Sequence, residues 1–253
     1  MDTARIAALL DPFLGPSLPP SQIDQISTYI DLLLRWNARI NLTAIRHPEE
    51  IVTRHFGESF FLARHLFPAG VPDSASVQDL EGTPSKPGLG AGVRGSTGYW
   101  VLGTDHQPLI TGHCTPRVLD IGSGAGFPAL PLKICAPHIH LTLVESNHKK
   151  AAFLREVARA LTLTNINVIT DRAEVLAARP DFPHADIVTL RAVEHFDTIL
   201  PQAVTFLAPN ATLALLIGAA QIPHLTTLTT LQWHPPIPVP QSHTRVLSIG
   251  VRN

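Results

Sequence analysis

Cysteine is almost missing from this chain: 253 residues contain two, Cys114 and Cys135. Two cysteines without metal-ligand spacing exclude a disulfide framework and suit a reducing cytoplasm. Long hydrophobic runs are missing too. No stretch of roughly 18 uncharged apolar residues occurs, so no membrane-spanning helix is expected. The opening stretch, MDTARIAALLDPF, lacks a basic start and a long apolar core, so it does not read as a secretory signal. Charge of either sign is scarce, at 15% of residues with a net of −1. Global charge therefore announces no nucleic-acid binding, and any RNA contact has to come from a local patch. The 13 histidines are scattered without ligand spacing, so no metal is expected.

Hydrophobic residues, by contrast, make up 45% of the chain, enough for one sizeable α/β core with an appendage. Three regions follow one another. Residues 1–71 read as helical. Ile23, Ile26, Ile30, Leu33 and Leu34 recur at helical spacing behind a candidate cap at Ser21. Pro48, Glu49 and Glu50 suit the first turn of a further helix running toward Phe67. Residues 72–116 change character: half of the chain's 16 glycines lie between Gly82 and Gly112. This segment reads as an insertion, with a candidate hairpin over Tyr99–Ile110. From 117 to 253 strands and helices alternate. Strands are expected at 117–121, 140–145, 166–170, 185–190, 211–217 and 244–250, with a weaker one near 228–233. Helices are expected at 128–135, 147–161, 193–206 and 218–226. Such alternation predicts a mostly parallel sheet with helices on both faces.

Ligands of an open parallel sheet bind outside the carboxyl ends of its strands. The first strand ends at Asp120 and runs into Gly122, Gly124 and Gly126, which leave room for a ligand against the backbone. Their spacing is G-x-G-x-G, not the dinucleotide fingerprint G-x-G-x-x-G, and Phe127 stands where that fingerprint needs glycine. The second strand ends in Glu145, placed to accept hydrogen bonds from ribose hydroxyls. Asp171, Ala173 and Glu174 follow the third strand, where an adenine would lie, although Glu174 also suits an ordinary first helical turn. Arg191 ends the fourth strand. Its guanidinium suits a ligand carboxylate or an RNA phosphate.

Five stretches in order carry a resemblance: WNARINLTAIRHPEEIVTRHFGES at 36–59, RVLDIGSGAGFPALPLKI, LTLVESNHKKAAFLREV, DRAEVL and VTLRAV. Together they resemble the bacterial ribosomal RNA small-subunit methyltransferase G family. The resemblance implies a class I, Rossmann-like α/β methyltransferase fold with a seven-stranded sheet, and S-adenosyl-L-methionine as cofactor. It also implies methylation of guanine N7 in small-subunit (16S) ribosomal RNA, on the RNA or a ribosomal particle. Gly122 and Phe127 match the family's cofactor loop, Glu145 its acid after the second strand, and Ala173 and Glu174 its adenine-side pair. Arg191 matches an arginine assigned to the cofactor, and is the candidate for a catalytic role. The insertion, at about 75–113, exceeds the short family linker, and three further features depart from the pattern. Ile217 stands where the family often has lysine, Glu58 where it usually has aspartate, and the tail keeps a single basic residue, Arg252.

The chemistry agrees with this constellation. Guanine N7 carries a free lone pair and needs no general base, so alignment and electrostatics suffice. An RNA surface is expected from Arg35, Arg39, Arg46, Arg54 and Arg64 with His47, His55 and His65, which outweigh Glu49, Glu50 and Glu58. An ordinary solvated helix face is the competing explanation. Trp36 reads as packing. The rival functions are a nicotinamide-dependent oxidoreductase, a non-enzymatic RNA-binding or assembly module on the same fold, and a small-molecule methyltransferase. A monomer satisfies everything seen.

Overall fold

In a computed structural model of the chain, residues 1–67, 115–191 and 196–253 are described. The expected hairpin at Tyr99–Ile110, most of the 72–116 segment, His113 and Cys114 lie outside them. So does the junction of 192–195.

The sheet is built on β1 (Arg117–Ile121), which pairs in parallel with β2 (His140–Val144) on one side and β4 (Ala185–Arg191) on the other. β3 (Ile166–Ile169) extends the first side and β5 (Leu207–Gly218) the second. β8 (Arg245–Arg252) then runs antiparallel to β5, and β6 (Leu231–Trp233) closes the edge. The order is β3-β2-β1-β4-β5-β8-β6. The expected seven strands are all present. An eighth, β7 (Ile237–Pro238), adds two residues against β8. It stays short because Pro235, Pro236, Pro238 and Pro240 remove the donors that a longer ladder needs.

The inner stretches of β1, β2, β4 and β5 are mostly apolar and buried because helices cover both faces. α5 (Ala129–Cys135) and α6 (His148–Ala160) lie on one face together with the N-terminal helices. α7 (Ala173–Ala177) and α8 (Phe196–Thr205) pack on the other. The expected helix at 218–226 is a 3-10 turn, Ala219–Gln221, followed by α9 (Ile222–Leu225).

α1 (Thr3–Leu10) and α2 (Pro20–Asn37) bury Ile6, Leu10, Ile26, Tyr29, Ile30 and Leu33. α2 begins at Pro20, not behind a Ser21 cap; proline's fixed φ suits the first helical turn and no side chain caps it. The next helix is composite. α3 (Pro48–Glu50) passes into a π-helical stretch, Ile51–Gly57, and then into α4 (Glu58–Leu66). π-turns cost hydrogen-bond quality and are found mostly where side chains must be re-aimed. Here the turn delivers His55 and Glu58 toward the sheet.

This N-terminal layer is seated directly on the loop after β1. The Tyr29 hydroxyl donates to the Ala125 carbonyl, and the Tyr29 ring stacks on Phe127 with centroids 5.2 Å apart. Gly126 has φ 86°, and a Cβ there would run into the Tyr29 hydroxyl and the Leu130 side chain. The third glycine of the cluster therefore serves docking of α2. Gly126→Ala is expected to cost at least about 2 kcal/mol, from overpacking and left-handed strain together. Thermal unfolding would read this as a melting temperature lowered by roughly 5 °C or more.

Candidate functional site

The loop between β1 and α5 is shaped by short-range hydrogen bonds. The amides of Gly122 and Ser123 both donate to the Val144 carbonyl, and the Ser123 hydroxyl donates to the Asp120 carbonyl. Gly122 (φ 68°) and Gly124 (φ 54°) are left-handed, a conformation that costs other residues roughly 1–2 kcal/mol. A Cβ on Gly124 would meet nothing closer than the Gly122 carbonyl at 3.7 Å. The loop thus keeps an open side over its second glycine.

Two carboxyl groups flank it. Glu145 Oε2 accepts from Gly124 N at 2.8 Å, and its Oε1 accepts from Asn147 N at 2.8 Å. This buried side chain ties the end of β2 to the glycine loop. Asp120 is 1% exposed. Its Oδ1 accepts from the Thr189 hydroxyl of β4 at 2.6 Å, while Oδ2 has no partner. Burial pushes the Asp120 carboxyl up to about 7, against the pull of its hydrogen bonds, with the nearby Glu145 charge adding to the rise.

On the third strand's side, Ala173 is buried at the start of α7. Glu174 is half-exposed and faces Arg172 at 3.8 Å, as a first-turn acid does. Asp171 holds Arg179 at 3.0 Å. Phe127 is less open than the loop before it. Its ring is buried between Tyr29 and His55, the latter stacked at 4.6 Å, with Phe56 edge-on at 5.1 Å.

Arg191 is the junction of the site. It was expected to project over a ligand crevice, but the guanidinium turns into the N-terminal layer. Nη2 donates to Glu58 Oε2 at 3.0 Å and to the Arg54 carbonyl at 2.7 Å. Nη1 lies 2.9 Å from His55 Nδ1. Nε has no partner. Arg245, at the start of β8, brings Nε within 3.0 Å of the same Glu58 oxygen and donates through Nη2 to the Leu216 carbonyl. One buried carboxylate thus holds two arginines from two strands.

The hydrogen bonds fix the tautomer of His55. Arginine only donates, so Nδ1 accepts and the ring proton sits on Nε2, donated to the Thr43 hydroxyl at 2.8 Å. That hydroxyl also accepts from Ile45 N, and Asn37 Oδ1 accepts from the amides of Leu42 and Thr43. Burial, then the charges of Arg191, Arg54 and Arg245, hold the imidazole down at about 2, so it is neutral at every working pH.

The expected basic face is reduced accordingly. His55 and Glu58 are buried in the network, His65 is half-buried with Nδ1 2.7 Å from the Phe61 carbonyl, and Arg64 lies over the Phe61 ring. Arg35, Arg39, Arg46, Arg54, Arg64 and His47 remain exposed. Trp36 packs against Phe153 and donates to Glu156 at 3.1 Å, as packing predicts. Among the described residues no three His, Cys, Asp or Glu side chains gather as metal ligands, and no helix is long and apolar enough to cross a membrane. Arg245, Thr189 and Tyr29 were not singled out from sequence. A partial signal for Glu58 and His55 was the apolar residues at helical spacing around them, Ile51, Val52, Phe56, Phe61 and Leu62.

A parallel sheet closed by an antiparallel last strand, with a glycine loop after β1 and an acid after β2, defines a class I methyltransferase fold. The family model described as "GidB: rRNA small subunit methyltransferase G" matches residues 22–76 and 107–232. The chain belongs to this family. The unmatched stretch, 77–106, falls within the segment read as an insertion. Among curated relatives, the "Ribosomal RNA small subunit methyltransferase G" of Roseiflexus castenholzii is 36% identical over 78% of this chain and 68% of its own length. The Bacillus subtilis protein of that name is 31% identical over 81% of this chain and 68% of its own. The one from Geobacillus is 31% identical over 87% and 75%.

Two outcomes are expected. Glu58→Gln leaves two buried guanidinium groups without a counter-charge and should cost about 3–5 kcal/mol in chemical denaturation, whereas Glu58→Asp, which keeps the charge, should cost less. The pH dependence follows from two opposed groups. Below pH 6.5 the unfolded chain protonates His55 and the folded one does not, so stability falls on acidification, by at most about 1.4 kcal/mol per pH unit. The raised Asp120 does the reverse, holding a proton in the fold between its ordinary 3.8 and about 7, and so offsets that fall. Asp120→Asn should therefore steepen the loss of stability between pH 6.5 and 4, measured by denaturant unfolding at each pH.

Proposed function

We propose that the protein transfers a methyl group from S-adenosylmethionine to N7 of a guanine in small-subunit (16S) ribosomal RNA, acting in the cytoplasm as a monomer. The reading rests on family membership and on one observation at the site. Two buried polar atoms without partners lie at the ends of adjacent strands: the acceptor Asp120 Oδ2 on β1 and the donor Arg191 Nε on β4. An unpaired buried acceptor and an unpaired buried donor are each costly alone. An amino acid's ammonium and carboxylate are the complementary pair.

The donor set fits this cofactor in a second respect. Two buried carboxyl groups, Asp120 and Glu145, flank the glycine loop. They complement a ligand bearing ammonium and sulfonium charge and oppose the pyrophosphate of a nicotinamide dinucleotide. In this reading Asp120 and Arg191 hold the amino-acid end. Gly122 and Gly124 let the ligand lie against the backbone, Glu145 accepts from the ribose, and Ala173 and Glu174 border the adenine. Phe127 supports the loop from beneath, through its stack with Tyr29 and His55.

S-adenosylmethionine, when bound, supplies a methyl group activated by sulfonium. N7 attacks with its own lone pair, so the chain's task is to orient, to exclude water and to complement charge. His55 is in keeping with this. Its Nδ1 is occupied by Arg191 and its Nε2 proton by Thr43, so it serves as a spacer and not as a base. Arg191 is held in one orientation by Glu58, the Arg54 carbonyl and His55, a positioning role for all three.

Transfer of labelled methyl to small-subunit RNA or particles lacking the modification tests the reading, with the product identified by mass. Single-site N7-methylguanosine is expected, and no transfer from cofactor-loaded protein would overturn the activity. Glu145→Ala should weaken cofactor binding about tenfold or more in calorimetry, since a charge-assisted acceptor and the Gly124 tether are lost together. Unchanged affinity in the folded variant would remove Glu145 from the site.

A further inference from the structure

Charge nearly cancels over the whole chain, yet two segments carry one sign only. Residues 35–47, RWNARINLTAIRH, hold Arg35, Arg39 and Arg46 and no acid. Residues 146–155, SNHKKAAFLR, hold Lys149, Lys150 and Arg155 and no acid. The fold brings the two together. α2 and α6 pack antiparallel: Gln25, early in α2, donates to the Leu161 carbonyl past the end of α6 at 3.1 Å, while Trp36, late in α2, meets Phe153 and Glu156. One turn beyond Trp36 comes Arg39, and the amides of Arg39 and Ile40 both donate to the Trp36 carbonyl. One turn before Phe153 comes Lys149, on the same stripe of α6. The end of α2 therefore lies beside the start of α6, at the carboxyl end of β2.

This surface is continuous with the glycine loop. Glu145 accepts from the amides of Gly124 and Asn147, and the Asn147 side chain accepts from the amides of Lys149 and Lys150. α2 is fixed to the same loop through Tyr29 and the Ala125 carbonyl. The segment after α2 continues to Thr43, whose hydroxyl meets His55 beside Arg191.

The charges here are also uncompensated. Other exposed arginines have a carboxylate within reach: Arg5 has Glu49, Arg54 has Glu50, Arg172 has Glu174 and Arg179 has Asp171. Among the described residues, Arg35, Arg39, Lys149 and Lys150 have none. Arg46 is held by neutral acceptors, the Asn37 carbonyl and Asn41 Oδ1, which fix it and leave its charge. Arg155 turns away, to the Val168 carbonyl and Thr170. Between the cations stand Asn41, Ser146 and His148, exposed and polar. A membrane-binding face would need apolar side chains to insert, and Trp36 is packed against Phe153. Cations interleaved with amides and hydroxyls suit a phosphate–sugar backbone.

We infer that the end of α2 and the start of α6 form the face on which the RNA backbone docks beside the cofactor loop, with Arg39 and Lys149 contacting phosphates. Arg54 and Arg64 take no part, the first paired with Glu50 and the second laid over Phe61. The inference rests on the methyltransferase reading above for the nature of its partner.

The test measures binding of the full chain to unmodified small-subunit RNA across a range of salt concentrations, independently of turnover. Arg39→Ala and Lys149→Ala should each weaken binding roughly fivefold near 0.1 M salt and lower the slope of log K against log salt by about 0.7–0.9, the signature of one lost phosphate contact. Lys149→Arg keeps the charge and should retain both. Arg159→Ala, at the exposed far end of α6, should change neither. Cofactor affinity, measured by calorimetry, should stay within about twofold in every variant. Unchanged slopes in Arg39→Ala and Lys149→Ala, or an equal loss in Arg159→Ala, would overturn the assignment with methyl transfer left intact. RNA binding with the expected slopes but no transfer by the unaltered protein would instead sink the activity and leave the docking face standing.

Discussion

A single carboxylate holds the architecture together. Glu58 is 2% exposed, and one of its oxygens faces Arg191 from β4 and Arg245 from β8. Burying three charges is expensive, and the arrangement is tolerated because Nη donors of both arginines find partners in the Arg54 and Leu216 carbonyls and in His55, which leaves Arg191 Nε over for a ligand. A neutral imidazole at that point is a physical necessity: a protonated one would add a third cation to the cluster. The π-helical turn is the backbone's answer, since it brings His55 and Glu58 to bear on the same guanidinium. The N-terminal helices are thus part of the site's rear wall.

The glycine cluster serves two masters. Gly122 and Gly124 open the ligand side of the loop, while Gly126 admits Tyr29 from behind. Phe127 belongs to the second task, packed between Tyr29 and His55. The loop is therefore shaped from both sides, by Glu145 pulling on Gly124 and by α2 pressing on Gly126.

Much of this was legible in sequence because it is periodic or local. The alternating apolar runs from 117 onward place β1 to β5 and β8 within a few residues of their observed ends. The five family stretches point to the fold and its loop. What was not legible depends on distant partners. Arg245 sits in a strand with no local sign that it pairs with a helix residue at the other end of the chain. His55 and Glu58 look, by charge alone, like members of a solvated basic face. Only the apolar residues at helical spacing, such as Ile51, Val52, Phe61 and Leu62, hint at burial. The spacing of the third glycine suggests a dinucleotide loop gone astray, and its reason, the Tyr29 hydroxyl, lies 96 residues upstream of the carbonyl it meets. The Ser21 cap failed for a local reason, since the two prolines before it already start the helix.

These long separations bear on how the chain comes to fold. His55 and Glu58 meet Arg191 across 136 and 133 residues, so the clamp has a high contact order. During synthesis the N-terminal helices leave the ribosome first, with their apolar faces and their carboxylate still unpartnered. They cannot dock until β1 and its loop exist, and the clamp cannot close until β8, the last strand made, presents Arg245. Completion of the ligand site is thereby coupled to synthesis of β8, and a product lacking that strand would leave Glu58 half-neutralised and its layer loosely held.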